Sequence, residues 1–560
     1  MKQGFEKYIP FTPVDLPNRQ WPSRAITKAP VWCSVDLRDG NQALVNPMNV
    51  EEKLTFFKML VDIGFKEIEV GFPSASETEY EFVRALIEGD YIPEDVAIQV
   101  LVQAREHLIR RTFESVAGAR HVILHFYNST STLQRKVVFH KDMRGIADIA
   151  VTSARLIREL AEPLIGAGMD IRYEYSPESF SGTEPENALM VCEEVLDTLG
   201  ATEERRVILN LPNTVECCMP NQHADQIEYF CTHLKNPTRA IVSIHPHNDR
   251  GTGVAAAELA LLAGAQRVEG TLFGNGERTG NLDIVTVAMN MYSQGIDPGL
   301  DFYHLPEIRT IYENNTGMRV HERHPYAGDL VFTAFSGSHQ DAIKKGMDYM
   351  RDHGGEYWEV PYLPIDPADV GRTYEAIVRI NSQSGKGGAA FVLQNSFGFN
   401  LPKAMHPEFG ELVQKACEET GREMAAAEIM DLFDREYLHA DLPYALTAYK
   451  LVDDSARHLV NFSGSLQMGE RSHRIDGSGN GPIDAFYSAL ASVGVEPYEF
   501  VSYDEHAISE GADAKAVSYI QLKNPDGGGV FGVGVDPNIG VASMKAILCA
   551  MNRIEKRRKH

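Results

Sequence analysis

The chain has 560 residues, of which 43% are hydrophobic and 23% are charged, and its formal net charge is −25. This length is too great for one hydrophobic core and predicts about two to four domains. The acidic balance excludes a general nucleic-acid-binding face, which would have to be basic, and disfavours an anionic membrane surface as a partner.

The cysteines and the apolar segments indicate where the protein works. Seven cysteines are present, an odd number, and none shows C-x-x-C spacing. We therefore expect reduced thiols rather than a disulfide framework or a cysteine zinc site. The first 21 residues lack the apolar core of a signal peptide, and no uncharged apolar run reaches transmembrane length. These features predict a cytoplasmic protein.

Eight short apolar runs alternate with amphipathic stretches through the first half of the chain. The runs lie at residues 31–36, 66–71, 96–103, 121–126, 170–176, 206–211, 240–245 and 267–273. Eight β–α units over roughly 265 residues match the size of a (β/α)8 TIM barrel, an α/β fold. A doubly wound sheet is the alternative, but it usually has fewer strands and a glycine-rich phosphate turn after the first. Here the first run leads into DLRDGNQ, so the sequence favours the barrel.

Polar segments follow six of the eight predicted strands. They are DLRDGNQ after strand 1, HFYNST after strand 4, EYSPESF after strand 5, NLPNTVE after strand 6, HPHND after strand 7 and GNGERTGN after strand 8. The active sites of TIM barrels lie at the C-terminal ends of the strands. Polar residues scattered over a surface would not gather at one end of six strands, so this clustering predicts an active site there.

Two further regions follow the barrel, which we place at residues 1–320. Residues 321–440 combine glycine- and proline-rich turns with helical pieces and predict a mainly helical connector. Residues 441–560 contain three predicted strands and a helix, twice in succession, which indicates the duplication of a βββα module. Such a module carries no evident catalytic cluster, and we expect it to serve dimerisation or small-ligand sensing.

The segment HPHND contains two histidines two residues apart, which places both side chains on one face of an extended strand. Strands 7, 8 and 1 are neighbours in a barrel. His245 and His247 could therefore converge with Asp39, after strand 1, and Asn281, after strand 8. Such a mixed nitrogen and oxygen site suits Mg²⁺, Mn²⁺, Co²⁺ or Zn²⁺ and disfavours copper(I). The alternative is that the two histidines only form hydrogen bonds within a polar rim.

Other polar residues at the same end of the barrel could bind a substrate. Arg38 could neutralise a developing oxyanion or a substrate carboxylate. His125 and Thr214 follow strands 4 and 6 and could contact the substrate directly. Glu174 and Glu178 alternate onto one face after strand 5, and the sequence alone leaves open which of them reaches inward.

Three motifs give the chain a family resemblance. They are DLRDGNQ, HPHNDRGTGVAAAELALLAGAQRVEGTLFGNGERTGNLD and GRTYEAIVRINSQSGKGG. With them the chain resembles the bacterial 2-isopropylmalate synthases of the longer type over nearly its whole length. The signatures H-P-H-N-D-x-G-x-G and G-N-G-E-R-x-G-N are specific to the acyl-CoA condensing barrels, and the connector motif points to this family among them.

The resemblance implies a reaction and its control. It implies a Claisen-type condensation of acetyl-CoA with 3-methyl-2-oxobutanoate, the committed step of leucine biosynthesis. It also implies a homodimer and feedback inhibition by leucine bound to the C-terminal domain. The ligands that it implies for a divalent metal, with Mg²⁺ first among the candidates, are Asp39, His245, His247 and Asn281.

The resemblance also assigns roles to residues at the barrel mouth. Arg38 would stabilise charge at the keto oxygen, and Glu178 is a further candidate for a catalytic role. Together with Glu178, His125 and Thr214 would line the pocket for the 2-oxo acid.

Two candidates for acid–base work lie in the connector. In this family a connector histidine reaches the barrel of the partner subunit. The matching residue here is His339 in FSGSHQD, with Tyr374 in GRTYEA beside it. The alternative for both residues is a role in helix packing.

The resemblance also implies an effector site, and the segment of this chain that corresponds to it is a glycine-rich turn in the C-terminal region. This turn, IDGSGNGPIDA, supplies Gly477, Gly479 and Gly481 as candidate effector-binding residues. Glycines in a turn usually serve only backbone geometry, which is the alternative here.

One departure and three rival functions follow from the same comparison. Many relatives of this barrel superfamily carry D-R-E at the first strand, whereas Leu37-Arg38-Asp39 stands in its place here. Aspartate can still ligate a metal, but its shorter side chain puts the finer geometry in doubt. A citramalate or homocitrate synthase would differ in the size of its 2-oxo acid. A metal-dependent lyase or aldolase fits a feedback sensor less well, and the intact ligand set argues against a silent leucine-binding protein.

Overall fold

The structure, a computed structural model, describes residues 4–8, 11–334, 337–374, 388–420, 424, 426–439, 443–454, 456–495, 498–508, 515–524 and 527–558. Most of the motif GRTYEAIVRINSQSGKGG lies outside the described residues, as do the first two residues of FSGSHQD. The chain divides into two compact units. The first consists of Met1–Phe332 and Pro364–Thr373, and the second of Thr333–Leu363 and Tyr374–His560.

Eight parallel strands, β1 to β8, form a closed barrel in sequence order. Their bounds are Val31–Ser34, Glu67–Gly71, Ala97–Gln103, His121–Ser129, Asp170–Glu178, Val207–Asn213, Ala240–Pro246 and Arg267–Gly270. All eight predicted strands are present, and the predicted (β/α)8 barrel is confirmed. Closure places β8 between β7 and β1, with Arg267 opposite Ser243 on one side and Glu269 opposite Cys33 on the other.

Helices follow the strands and begin and end where the local sequence favours it. In chain order, α1 to α10 are Val50–Ile63, Glu77–Glu88, Glu106–Ser115, Thr132–Gln134, Met143–Gly166, Pro185–Leu199, Pro220–His233, Gly253–Ala263, Ile284–Tyr292 and Leu305–Thr316. Asn49 caps α1 in a reciprocal pair with Glu52, and Gly64 ends the helix at a φ of 111°, which glycine adopts without a steric penalty. Among the described residues, no helix is long and apolar enough to cross a membrane.

The second unit contains the connector helices and the duplicated module. The helices α11 to α14 are Gly337–His353, Gly388–Phe397, His406–Thr420 and Ala426–Phe433. The first module consists of β9 to β11 and α15, at Tyr444–Asp454, Leu459–Met468, Arg471–Gly479 and Pro482–Ala491. The second consists of β12 to β14 and α16, at Phe500–Ala507, Ala516–Lys523, Gly529–Asp536 and Ile539–Arg558. Each module is a three-stranded antiparallel sheet with one helix, so the predicted helical connector and the duplication are confirmed.

Glycines on β11 allow α15 to lie directly on the sheet. A Cβ atom at Gly477 would stand 2.3 Å from the backbone nitrogen of Ala489. One at Gly479 would stand 2.5 Å from the backbone nitrogen of Ala485. Both separations are shorter than any that a real Cβ atom tolerates. These two candidate effector glycines therefore have a packing role, and a role in effector binding stays a prediction.

The same arrangement recurs in the second module, where Gly532 and Gly534 on β14 stand against α16. A Cβ atom at either position would lie within 2.1 Å of a helix carbonyl oxygen. Gly481, the third candidate effector glycine, differs from these because no atom lies within 4 Å of its Cβ position. It is the N-cap residue of α15. The repeated glycine pair is thus a structural requirement of the module.

Replacing Gly477 by alanine tests this packing. We expect Gly477→Ala to lower the free energy of unfolding of the second unit by about 1–3 kcal/mol, because the added methyl group pushes α15 off the sheet. Gly481→Ala is the matched control, since its methyl group meets open space and the change at an N-cap costs about 0.5 kcal/mol. Denaturant unfolding of the full chain, followed by circular dichroism, compares the two variants. Equal unfolding midpoints would contradict the packing role.

Candidate active site

The turn after β1, Asp36–Gly40, carries Arg38 and Asp39 into the mouth of the barrel. Asp36 fixes this turn from below, because its carboxylate accepts a hydrogen bond from the N–H of Leu272 at 3.0 Å. Leu272 follows β8 directly. The contact therefore joins the turns after the first and last strands of the barrel.

The four predicted metal ligands meet at the Asp39 carboxylate. Asp39 Oδ2 lies 3.1 Å from Nε2 of His245 and 3.8 Å from Nε2 of His247. The side-chain amide of Asn281 lies 2.8 Å from the same oxygen. All four side chains are buried, and His247 and Asn281 also pair through their backbones in an isolated β-bridge. Strands that are neighbours in the barrel thus bring together residues that lie far apart in sequence.

The donor atoms of this group fit a divalent cation. Among the described residues, His247 Nδ1 and Asn281 Oδ1 are buried and have no hydrogen-bond partner, which is uncommon for buried polar atoms. Rotation of the Asn281 amide exchanges its nitrogen and oxygen without a change in shape, so that Oδ1 would face Asp39. Ligand atoms of Asp39, His245 and His247, one from each residue, lie within 4.8 Å of one another. With the Asn281 amide oxygen they form a mixed nitrogen and oxygen donor set, which suits Mg²⁺ or a first-row divalent metal.

The electrostatics of the group favour the ligand forms of Asp39 and His247, whereas His245 stays protonated. Burial alone would raise the pKa of Asp39, but the Arg38 guanidinium and His245 hold it well below its ordinary value. Burial and the charge of His245 lower the pKa of His247 to about 4. Burial alone would lower the pKa of His245, yet Asp39 and Glu269 raise it to about 9. Asp39 is therefore anionic and His247 neutral at pH 7, and cation binding would displace a proton from His245.

The group opens into a cavity of about 980 Å³ at the barrel mouth. The predicted site residues that line this cavity are Arg38, Asp39, His125, Glu178, Thr214, His245 and His247. Glu178 is therefore the glutamate of β5 that faces the cavity, whereas Glu174 is fully buried inside the barrel. Burial raises the pKa of Glu178 above its ordinary value.

A layer of polar side chains beneath the cavity orients the site, and none of its carboxylates was predicted to be a site residue from the sequence. Glu69 accepts a hydrogen bond from Nδ1 of His125 at 2.7 Å. Glu269 accepts one from Nδ1 of His245, also at 2.7 Å. Gln99 joins the two carboxylates, since its amide donates to Glu69 at 2.7 Å and to Glu269 at 2.8 Å. A candidate substrate residue and a candidate metal ligand are thus held by one network.

Glu269 fixes the orientation of the His245 ring. Because Nδ1 donates to Glu269, Nε2 is left to face Asp39, as in carboxylate–histidine–metal arrangements. Glu269 is fixed in turn by the Arg267 guanidinium at 2.9 Å and by the Asn210 amide at 3.0 Å. It therefore acts as a rigid support for one ligand.

A signal for these residues exists in the sequence. Polar residues stand at alternate positions of three otherwise apolar strands, as E-I-E in β2, I-Q-V in β3 and R-V-E in β8. Successive residues of a barrel strand point alternately inward and outward. Once the strand bounds are known, this alternation therefore places the polar residues of the three strands on the same face, inside the barrel.

The two connector candidates belong to the second unit. His339 is exposed on α11, where its ring stacks on Tyr362 with 4.1 Å between the ring centroids. Tyr374 is half-buried, and its hydroxyl has no hydrogen-bond partner among the described residues. Burial raises the pKa of this hydroxyl. Their action at a barrel stays a prediction.

Three protein families match successive parts of the chain. The family described as HMGL-like matches residues 29–311. The family described as alpha-isopropylmalate synthase, post-catalytic domain-like, matches residues 329–394. The LeuA allosteric (dimerisation) domain matches residues 423–555.

Full-length relatives share more than half of their residues with this chain. The 2-isopropylmalate synthase of Clostridium acetobutylicum is 54% identical, over 98% of this chain and 99% of its own. That of Rhodospirillum rubrum is 53% identical over 98% of each chain. That of Ralstonia nicotianae is 53% identical over 100% of this chain and 96% of its own.

Removing the charge of Glu269 tests its support of His245. We expect Glu269→Gln to weaken the binding of Mn²⁺, used as a spectroscopic probe, by about 10- to 100-fold, because an amide offers one acceptor oxygen where the carboxylate offers two. Glu67→Gln is the matched control, since Glu67 is also buried in the barrel but accepts from Arg172 and Arg267. Paramagnetic resonance titration of both variants measures the dissociation constants. Equal affinities in the two variants would contradict the role of Glu269.

Proposed function

This chain belongs to the 2-isopropylmalate synthase family, and we propose that it condenses acetyl-CoA with 3-methyl-2-oxobutanoate to give 2-isopropylmalate and CoA. The observation that carries this proposal is the 54% identity to such a synthase over nearly the full length of both chains. The site geometry supports it, because the candidate metal ligands Asp39, His245 and His247 line one cavity together with Arg38. The enzyme is an acyltransferase.

The donor group of Asp39, His245, His247 and Asn281 would hold a divalent metal, and we propose Mg²⁺ as the native ion. When bound, such an ion supplies Lewis-acid polarisation of the 2-oxo group. The mixed nitrogen and oxygen donors support Mg²⁺, Mn²⁺, Co²⁺ or Zn²⁺ over a soft ion.

Arg38 is proposed to stabilise the charge that develops at the keto oxygen. Its guanidinium lies between two carboxylates, at 2.7 Å from Asp39 and in contact with Glu69. Only about a tenth of its side chain is exposed, at 11%. A buried, fixed donor needs little reorganisation when the oxyanion forms, and such donors make large contributions to catalysis.

Glu178 is our candidate for proton transfer in the cavity. Condensation requires that a base remove a proton from the acetyl-CoA methyl group and that the resulting carbon nucleophile attack the keto carbon. The alkoxide then takes up a proton, and water cleaves the thioester to release CoA. Glu178 faces the cavity with a raised pKa, which brings its basicity closer to that useful for such transfers.

His125 and Thr214 are proposed to position the 2-oxo acid. His125 is fixed at both ring nitrogens, by Glu69 at 2.7 Å and by the Ser176 hydroxyl at 2.7 Å. The Thr214 hydroxyl accepts the N–H of Ser179 at 2.9 Å and keeps its own proton for donation. Both residues therefore present a defined face to the cavity.

The remaining assignments rest on the family relationship. We propose a cytoplasmic homodimer in which His339 and Tyr374 assist acid–base chemistry at the partner's barrel. Leucine is proposed as the effector, bound by the C-terminal domain with Gly477, Gly479 and Gly481 as candidates. We place the barrel at residues 1–320, the connector at 321–440 and the regulatory domain at 441–560. The match of residues 423–555 to an allosteric (dimerisation) domain supports the regulatory role that we propose for the C-terminal domain.

Release of CoA from acetyl-CoA with a panel of 2-oxo acids tests the proposed function. We expect the highest kcat/KM with 3-methyl-2-oxobutanoate, loss of activity on chelation, recovery with Mg²⁺, and inhibition by leucine. The physical reason is that the metal group and the cavity residues Arg38, His125 and Thr214 would have to bind the 2-oxo acid together. A preference for pyruvate or 2-oxoglutarate would support the condensation reaction but contradict the assignment of 3-methyl-2-oxobutanoate as the substrate. No CoA release with any acid would overturn the condensing function itself.

The pH dependence of catalysis tests the role of Glu178. This carboxyl has to be ionised to accept a proton, and burial raises its pKa. We therefore expect kcat/KM to fall as the pH drops through a value above that of an exposed glutamate. Glu178→Gln should remove this acidic limb and lower kcat by about 10²- to 10⁴-fold. The exposed Glu186→Gln on α6 serves as the control; an acidic limb that survives in Glu178→Gln would rule out this role.

A further inference from the structure

Two adjacent cysteines lie on the loop between β6 and α7, outside the donor group and the cavity lining. Cys217 is exposed, whereas the other six cysteines, all among the described residues, are buried or half-buried. Cys218 is buried, with 3% of its surface exposed. One thiol is thus open to reagents in solution, and the next residue holds a second thiol beneath it.

The surroundings of this pair activate the exposed thiol. Contact with the Cys218 thiol, assisted by Ser181 and Arg250, lowers the pKa of Cys217 to about 6. The same contact, together with burial, raises the pKa of Cys218. The Cys217 sulfur also lies 3.8 Å from the Ser181 carbonyl oxygen. The lowered pKa favours the thiolate of Cys217, which is the form that attacks oxidants.

The loop that carries the pair is tied to the loop after β7. The buried Glu216 carboxylate accepts the Arg250 N–H at 2.6 Å and contacts the Thr252 hydroxyl. The Glu216 N–H donates to Asp249 at 3.0 Å. Asp249 lies two residues beyond His247, so the segment that carries Cys217 is joined to the loop that carries this candidate ligand.

A second tie joins the same loop to the turn after β8. The Arg278 guanidinium donates to the Thr214 carbonyl at 2.5 Å and to Asp249 at 2.6 Å. The segment just before Cys217 is therefore tied at Thr214 and at Glu216 to the loops after β7 and β8.

We propose that Cys217 and Cys218 form a reversible oxidation site whose oxidised form has lowered catalytic activity. The Cys217 thiolate attacks a peroxide, which breaks the O–O bond and gives a sulfenic acid and hydroxide. The Cys218 thiol then attacks the sulfenic sulfur and releases water. Two thiols and one peroxide thus yield one disulfide and two molecules of water, counting the proton lost when the thiolate forms.

Geometry explains why this oxidation changes the site. Adjacent Cα atoms lie about 3.8 Å apart across a trans peptide, whereas disulfides usually span about 4.4–6.8 Å. Closing the bond between neighbours therefore has to twist the backbone at 217–218. That twist moves Glu216 away from its partners in the next loop. Strained disulfides are reduced easily, so dithiothreitol restores the dithiol.

The site of oxidation is read by mass spectrometry, independently of enzymatic activity. Cleavage after Glu216 and Glu228 releases residues 217–228, which contain both thiols and no other cysteine. After one equivalent of hydrogen peroxide we expect this peptide to lose two hydrogen atoms. A gain of oxygen on Met219, which is 55% exposed, changes the mass in the opposite direction. Loss of thiols elsewhere in the chain, with this peptide unchanged, would overturn the proposal.

Single substitutions separate the roles of the two thiols. Cys217→Ser should react about tenfold more slowly with peroxide, the ratio expected between a thiolate and a largely protonated thiol. Cys218→Ser should accumulate a Cys217 sulfenic acid that dimedone traps. Cys231→Ser is the control for a half-buried thiol and should behave as the unsubstituted chain. Equal reactivity of the Cys217→Ser variant and the unsubstituted chain would overturn the assignment.

The effect on activity rests on the proposed function and is measured separately. We expect the oxidised chain to release CoA at least about tenfold more slowly and to recover with dithiothreitol, whereas Cys217→Ser keeps its rate in peroxide. An unchanged rate in a chain whose peptide 217–228 is fully oxidised would overturn the coupling to the site. A chain without any CoA release before oxidation would instead count against the proposed function, and the peptide masses would still decide the oxidation site.

Discussion

The barrel depends on one fully buried cation, the guanidinium of Arg267. Each of its three nitrogens donates a hydrogen bond: Nε to Glu67 at 2.6 Å, Nη2 to Gln99 at 2.7 Å, and Nη1 to Glu269 and Ser243 at 2.9 Å. An unpaired charge at this depth would be strongly destabilising, so the arginine and its carboxylates have to be present together. The arginine also limits how many carboxylates stay ionised. The pKa values of Glu67 and Glu269 are lowered against the effect of burial, whereas burial and the neighbouring carboxylates raise that of Glu174 well above its ordinary value.

This polar interior explains why the site residues are rigid without being packed in an apolar core. The interiors of TIM barrels are dominated by branched apolar side chains, and replacing them by a charged layer rarely adds stability. What the layer provides here is orientation. Glu69 orients the His125 ring and Glu269 orients the His245 ring toward the cavity. The Gln99 amide bonds to both carboxylates and fixes their relative positions. Their carboxylate oxygens are satisfied by several donors, so that neither can turn without breaking other buried hydrogen bonds. Fixed dipoles of this kind lower the reorganisation needed during catalysis.

The sequence predicts the scaffold and the rim of the site better than its interior. The eight strands could be found because each is a short apolar run followed by a helical pattern, and the polar segments at their ends lie where barrel sites form. Asp39, His245, His247 and Asn281 could be grouped because closure makes their strands neighbours. The polar layer beneath the cavity could not be predicted, because its ion pairs join residues such as Glu67 and Arg267, which are 200 positions apart. No local sequence pattern shows which charged residues will pair. The packing role of Gly477 could not be predicted either, since it depends on how closely α15 approaches β11 in the folded chain.

The two levels of the site differ in how firmly electrostatics hold them. Beneath the cavity, the Arg267 and Glu269 side chains are both fully buried, and solvent does not screen their attraction. At the rim, the Arg278 side chain that ties three loops together is 41% exposed, and exposed ion pairs contribute little and weaken with salt. The His245 imidazole, which bonds to Glu269, is thus held from below by buried contacts that water does not weaken. The loops above it are joined by contacts that can exchange with water. A mouth that has to admit two substrates and release two products needs this difference, because the ligand geometry can persist while the loops adjust.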